Sequence, residues 1–149
     1  MTLYADSSAV LAWLLGEPAG GDVRDRLAAA DFVVTSDVTL VECDRVLRRA
    51  TALGELSEAD AAARRAELAS AAGGWTLLRL GGEVIERARR SFPKEPIRTL
   101  DALHVSSALV ARAAVADVQL LSLDASVRAN GRLLGLSLQP PDAPSSRRP

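Results

Sequence analysis

The sequence predicts an α/β domain, a three-layer α/β/α sandwich around a mostly parallel sheet. Three observations carry this. Short apolar strands alternate with helical segments along the whole chain. The strands read as near-continuous apolar runs, as strands covered on both faces do. The 149 residues, 48% hydrophobic and 25% charged, suit one domain with its own core. The reading assigns residues 1–138 to that domain. Residues 139–149, rich in proline and ending Ser-Ser-Arg-Arg-Pro, are expected to be a disordered tail.

Each element has a local cause. Thr2–Ala5 is a short apolar strand ending at Asp6. Ser7-Ser8 opens a helix that Gly16 and Pro18 close. A second helix is expected over 19–30, and Phe32–Thr35 is the next strand. Val38, Val41, Val46, Leu47 and Leu53 recur at helical spacing until Gly54. Ser57 and Asp60 form a capping-box-like start to an alanine-rich helix that ends at Gly73-Gly74. Trp75–Leu80 reads as a strand, Gly82–Ser91 as a helix and Phe92–Arg98 as a loop. Leu100–Ala116 reads as a long helix with Thr99 as N-cap. Val118–Leu123 is a strand ending at Asp124, a short helix runs to Gly131, and Leu133–Leu138 is the closing strand.

Composition excludes several functions. One cysteine, Cys43, excludes a disulfide framework and a cysteine-built zinc site. One histidine, His104, excludes a multi-histidine metal centre. Two Trp, one Tyr and two Phe are too few for a base-stacking platform. The longest apolar run, Ala9–Leu15, is far too short to span a membrane. No signal peptide is expected at the first residues, so the expected location is cytoplasmic. Net charge is −1, so there is no global basic field; among the 18 Lys and Arg only Lys94 is lysine. Arg45/Arg48/Arg49, Arg64/Arg65 and Arg87/Arg89/Arg90 are each either a phosphate-contacting group or the solvated face of a helix.

Strand and helix lengths bring three acids to one edge. About 14 helical residues after Asp101 descend ~21 Å. About 6 strand residues before Asp124 rise ~20 Å. The two lengths nearly cancel, so Asp101 and Asp124 return to the carboxyl edge of the sheet, where Asp6 also ends its strand. Ligands bind at that edge in open parallel sheets. Each acid is also placed to act as a helix cap or first-turn acid. Three together repel one another unless a cation joins them. Without histidine or cysteine they suit Mg²⁺ or Mn²⁺ rather than zinc, and such an ion points to chemistry on a phosphate ester. Glu42 is placed about 8 Å below the edge by helix rise, and spacing does not choose it over Asp37 or Asp44.

Four motifs then resemble a known family. Asp-Ser-Ser-Ala-Val (6–10), Thr-Leu-Val-Glu (39–42) followed by Val46-Leu47-Arg48-Arg49, Leu-Asp-Ala-Leu-His-Val-Ser-Ser-Ala-Leu (100–109), and Leu-Ser-Leu-Asp (121–124) followed by Leu133-Leu-Gly-Leu136 stand in order. The set resembles PIN domains, in particular the toxin subunits of VapBC toxin–antitoxin pairs, over residues 2–138. The resemblance implies a Mg²⁺-dependent endoribonuclease, with Mn²⁺ able to substitute, that leaves a 5′-phosphate. It implies that Asp6, Glu42, Asp101 and Asp124 hold the metal, and it alone selects Glu42. Asp6 and Asp101 become the principal ligands. Glu42 holds the ion directly or through water, and Asp124 completes the pocket or orients the attacking water. Ser122 or Ser7 is a candidate donor to a ligand carboxylate. Asp117 should lie at the opposite edge. His104 is expected to be packed rather than a base, Cys43 to be a small buried group, and Trp13 and Trp75 to be core or interface residues.

The implied partners are RNA, a small VapB-like antitoxin and a second copy of the chain. Val46, Leu47, Leu53, Leu56, Leu68 and Ala61–Ala63 offer an apolar face for an antitoxin helix, unless they form the domain's own core. The alternatives are a PIN-fold nuclease outside such a pair and a catalytically silent PIN-fold binding module. A haloacid-dehalogenase-type site needs Asp-x-Asp, but Ser7-Ser8 follows Asp6. A receiver domain needs a late lysine, and Lys94 lies in a proline-rich loop before the long helix.

Overall fold

The computed structural model describes residues 1–142. Five parallel strands form the sheet: β1 (Thr2–Ala5), β2 (Phe32–Ser36), β3 (Thr76–Leu78), β4 (Val118–Leu121) and β5 (Ser137–Gln139). Their order is β3-β2-β1-β4-β5. The chain therefore builds outward from β1 on one side and returns to build on the other. That reversal opens a crevice at the carboxyl ends of β1 and β4. The register places Ala5 beside both Thr35 and Leu121, and the Asp6 amide donates to the Leu121 carbonyl at 3.1 Å.

Among the described residues seven helices cover the sheet: α1 (Ser7–Leu14), α2 (Gly20–Ala29), α3 (Asp37–Ala52), α4 (Glu58–Ala72), α5 (Gly82–Ala88), α6 (Thr99–Ala114) and α7 (Ala125–Leu133). The two-residue period of the strands sorts their side chains into two cores. Leu3, Ala5, Val33 and Leu121 pack with Ala9, Val10 and Leu14 of α1, Val23 of α2, Cys43 of α3 and Leu68 of α4. Tyr4, Val34 and Leu120 pack with Ala102, Val105 and Ala108 of α6 and Val127 of α7. This is the three-layer arrangement expected from the sequence.

Local differences have local reasons. The closing strand is shorter than Leu133–Leu138 and starts later. Gly131 does not end α7: it lies within the helix, where a Cβ would come 2.5 Å from the Leu120 side chain, so it permits close helix–sheet packing. The turn comes at Gly135, whose φ of +82° favours glycine. The N-cap of α6 is Arg98 rather than Thr99, and its side chain makes no capping bond. The strand expected over Trp75–Leu80 is only Thr76–Leu78, and the helix expected to reach Ser91 stops at Ala88. Of the tail expected from residue 139, Gln139 closes β5 and Asp142 pairs with Arg128 and Arg132 of α7. The rest, residues 143–149, lies outside the described residues. No helix among the described residues is long and apolar enough to cross a membrane.

Candidate active site

The end of β1 builds the floor of the crevice. Asp6 is 1% exposed and is the N-cap of α1, its Oδ1 accepting from the Ala9 amide at 3.1 Å. Two serine hydroxyls complete its surroundings. Ser8 Oγ donates to Oδ1 at 2.7 Å and Ser122 Oγ donates to Oδ2 at 2.5 Å. Ser8 Oγ also accepts the amides of Leu123 (2.9 Å) and Asp124 (3.1 Å), so one hydroxyl ties the end of β1 to the end of β4. Burial pushes the Asp6 carboxyl above its ordinary range, against attraction to His104 and the bonds from Ser122, Ser8 and the Ala9 amide.

Asp124 follows β4 and caps α7, its Oδ1 accepting from Val127 N at 2.9 Å. Capping and clustering are thus not alternatives here, since Asp6 and Asp124 do both. Asp101 lies in the first turn of α6, partly buried. Its carboxyl is raised first by burial, then by Asp124 and further by Glu42, against the pull of His104 and Arg98. Asp101 and Asp124 thus stand at the starts of α6 and α7, and the contact of His104, one turn along α6, with Glu42 brings Glu42 toward the same edge.

Glu42 reaches that cleft because α3 and α6, which belong to opposite layers, meet beyond the sheet edge. His104 Nε2 stands 2.6 Å from Glu42 Oε2. Burial alone would raise the Glu42 carboxyl. The bonds from His104 and Ser7, with attraction to the imidazole, outweigh it and hold the group below its ordinary range. Asp37 lines the outer apolar hollow beside Val41, Leu80 and Leu100, and Asp44 takes part in no ion pair among the described residues. Asp117 precedes β4 with φ +63°, at the opposite edge as expected.

The four acids therefore share an edge, with Asp6 deepest. Among the described residues no Lys or Arg forms an ion pair with any of them. Nor do three or more His, Cys, Asp or Glu side chains converge tightly enough to form a ready-made metal cage. The donor set is still that of a hard cation. Mg²⁺ is commonly held by one or two carboxylates and several waters, and needs no all-protein cage.

Several residues take roles that the sequence reading missed. His104 is buried, as expected, but it is bonded to Glu42 rather than merely packed. Ser8 rather than Ser7 is the second hydroxyl on Asp6, while Ser122 matches its expectation. Ser7 Oγ lies 3.2 Å from His104 Nε2. Their available signal was position: Ser8 stands two residues after Asp6, and His104 one helical turn after Asp101 on the same face. Cys43 is fully buried and its thiol is pushed up to about 12, chiefly by burial. Trp13 and Trp75 pack at the edge of the first core. The apolar face expected on α3 and α4 is divided: Leu47, Ala61 and Leu68 belong to the domain's own core, Val46 and Leu56 are half-buried, and Leu53, Ala62 and Ala63 are exposed.

Comparison with known proteins agrees with this fold. The PIN domain family model matches residues 3–134. No curated protein sequence matches the chain. Among solved structures, VapC20 of Mycobacterium tuberculosis, described as a sarcin-ricin loop cleaving toxin, superposes with a TM-score of 0.61 at 18% identity, covering 87% of this chain and 95% of that one. VapBC2 of Rickettsia felis, bound to a DNA fragment from its promoter, gives 0.64 at 11% identity over 93% and 98% of the two chains. VapBC-1 of nontypeable Haemophilus influenzae gives 0.60 at 15% identity over 93% and 97%. At these identities the structures share the fold.

Proposed function

The chain belongs to the PIN domain family, and on that premise we propose that it is a Mg²⁺- or Mn²⁺-dependent endoribonuclease, the toxin of a type II toxin–antitoxin pair. The observation that carries this reading is the gathering of acids at the β1/β4 switch point with no Lys or Arg paired to them among the described residues, where the Asp101 carboxyl is raised first by burial and then by Asp124 and Glu42. A cation relieves that repulsion, and hard oxygen donors suit these ions.

Asp6 and Asp101 are the principal ligands in this reading, with Glu42 binding directly or through water. Bound by these residues, a divalent ion would supply activation of water and would offset negative charge on the scissile phosphate. Ser8 and Ser122 keep both oxygens of Asp6 in fixed directions. Asp124, whose Oδ1 accepts from Val127 N, would complete the pocket or orient the attacking water. The products carry a 5′-phosphate and a 3′-hydroxyl. Domain bounds of 1–138, a cytoplasmic location, a homodimer and a small VapB-like antitoxin complete the proposal. Exposed Val41, Leu80 and Leu100 beside Glu42 support a protein partner at the rim of the cleft.

The direct test incubates purified protein with RNA, with and without EDTA. Cleavage with Mg²⁺ or Mn²⁺, loss in EDTA and 5′-phosphate ends are expected. Cleavage indifferent to EDTA would sink the metal assignment. The pairing is tested by co-expression with the small open reading frame beside the gene. A neighbour that neither copurifies nor relieves growth arrest removes the toxin–antitoxin assignment and leaves the nuclease standing.

A further inference from the structure

The cleft contains one buried imidazole for which the hydrolysis described above has no step. His104 lies three residues after Asp101 on α6, with only 2% of its side chain exposed. It is held at both ring nitrogens. Nδ1 stands 3.3 Å from the Tyr4 hydroxyl, and Nε2 stands 2.6 Å from Glu42 Oε2. Tyr4 is fully buried in β1, and burial raises its phenol far above the ordinary range, so the hydroxyl keeps its proton. When that hydroxyl donates to Nδ1, the neutral ring carries its own proton on Nε2. The Nε2–H then donates to Glu42. Ser7 approaches the same nitrogen at 3.2 Å, a longer contact than the one to the carboxylate.

Glu42 needs such an anchor more than the other three acids. Asp6 and Asp124 have short side chains fixed by caps, and Asp101 stands in the first turn of its helix. Glu42 has a longer side chain in the second turn of α3 and is partly exposed. We propose that His104 is a positioning residue: its Nε2–H holds Oε2 of Glu42 across the α3–α6 contact, leaving Oε1 as the oxygen that serves the bound ion. This rests on the reading of Glu42 as a metal ligand. Partners of this kind orient ligand side chains and commonly change metal affinity tenfold or more when lost. One turn of α6 thus supplies both a ligand, Asp101, and the group that positions another.

The test compares His104→Gln with His104→Asn in the full chain. The Gln amide reaches about as far as Nε2, whereas the Asn amide reaches only as far as Nδ1. Mn²⁺ alone is the probe, titrated at fixed pH and read by the electron paramagnetic resonance of the free ion. His104→Asn is expected to weaken Mn²⁺ binding by about tenfold, and His104→Gln to stay within about threefold of wild type. RNA binding in EDTA should be unchanged in both. Wild-type Mn²⁺ affinity in both variants overturns the proposal. Equal loss in both also overturns it, because packing rather than the hydrogen bond would then be the cause. Should His104→Asn not fold, Tyr4→Phe carries the test, since it removes the hydroxyl that sets the tautomer and leaves the ring volume in the core. A weakening of Mn²⁺ binding is expected there, and wild-type affinity overturns the proposal. A wild-type protein that binds no Mn²⁺ fails at an earlier point, because it removes the metal-nuclease reading itself.

Discussion

The two sides of the cleft are held together by different means. On the β1/β4 side, adjacent parallel strands end side by side, and the hydroxyls of Ser8 and Ser122 join Asp6 to the start of α7. On the α3/α6 side no sheet register operates. Two helices from opposite layers meet there, and Glu42 is fixed by His104 and Ser7. The strand side places short acids through backbone geometry. The helix side places a long acid through side-chain contacts alone, chiefly the one from His104. Damage to the first should therefore be paid in stability as well as chemistry, and damage to the second mainly in chemistry.

The largest effect is expected from Asp6→Asn. Asparagine keeps the cap on α1, since it is an equally good N-cap, but it removes the anionic ligand. Metal stabilisation of phosphoryl charge is worth several kcal/mol, and each ~1.4 kcal/mol is tenfold in rate, so cleavage should fall about 100-fold or more. Asp101→Asn should fall comparably. Near-wild-type cleavage by either variant contradicts the metal site. The metal-free Asp6→Asn protein should also melt higher than wild type at neutral pH. The reason is the sign of the Asp6 shift: burial raises its folded pKa above the unfolded value. The native state then holds more protons between those two values, and stability falls as pH rises through that window. Thermal melts from acid to neutral pH should show that slope in wild type and a flatter one in the variant.

Next comes a paired substitution that separates the two sides. Ser8→Ala leaves the amides of Leu123 and Asp124 without the acceptor they share, although Asp124 N also has Ser122 Oγ at 3.1 Å. A buried donor left unpaired costs about 1–3 kcal/mol, and urea unfolding should report a loss in that range. Ser7→Ala removes a hydroxyl 3.2 Å from His104 Nε2, a nitrogen that still has Glu42, so its cost should be smaller, about 1 kcal/mol or less. Equal losses would erase the distinction between the sides.

The same distinction explains what could be read in the sequence. Asp6, Asp101 and Asp124 were legible because strand rise and helix rise nearly cancel, and that arithmetic needs no tertiary detail. Glu42 was not, because its position depends on α3 meeting α6. Only the resemblance singled it out from Asp37 and Asp44. The His104–Glu42 contact links residues 62 apart in sequence, and neither residue carries a local mark of it. The end of the sheet was misplaced for another reason. Gly131 reads as a stop signal, whereas it is small so that Leu120 can pack against α7. A glycine marks either a turn or a close approach, and one sequence does not distinguish them.

The smallest expected effect concerns arginines on the two sides. Arg45, Arg48 and Arg49 lie exposed along α3, line one surface hollow with Val46 and Ala52, and form no ion pair among the described residues. Arg128 on α7 is committed: it donates to the carbonyls of Ser122 (2.9 Å) and Pro140 (2.8 Å) and to Asp142 at 2.8 Å. If RNA approaches along α3, each arginine there that meets a phosphate releases counterions on binding. Arg48→Gln should then weaken RNA binding a few-fold in EDTA and reduce the slope of log affinity against log salt by about 0.7, the value for one contact to a single strand. Arg128→Gln should leave that slope unchanged and lower the melting temperature instead, because it removes the donor to the carbonyls of Ser122, Gln139 and Pro140 and one of the two arginines that pair with Asp142. A fluorescence-anisotropy titration at several salt concentrations distinguishes the two. An unchanged slope for Arg48→Gln, repeated for Arg45→Gln and Arg49→Gln, would leave α3 with Glu42 as its single contribution to the reaction and would place the RNA path elsewhere.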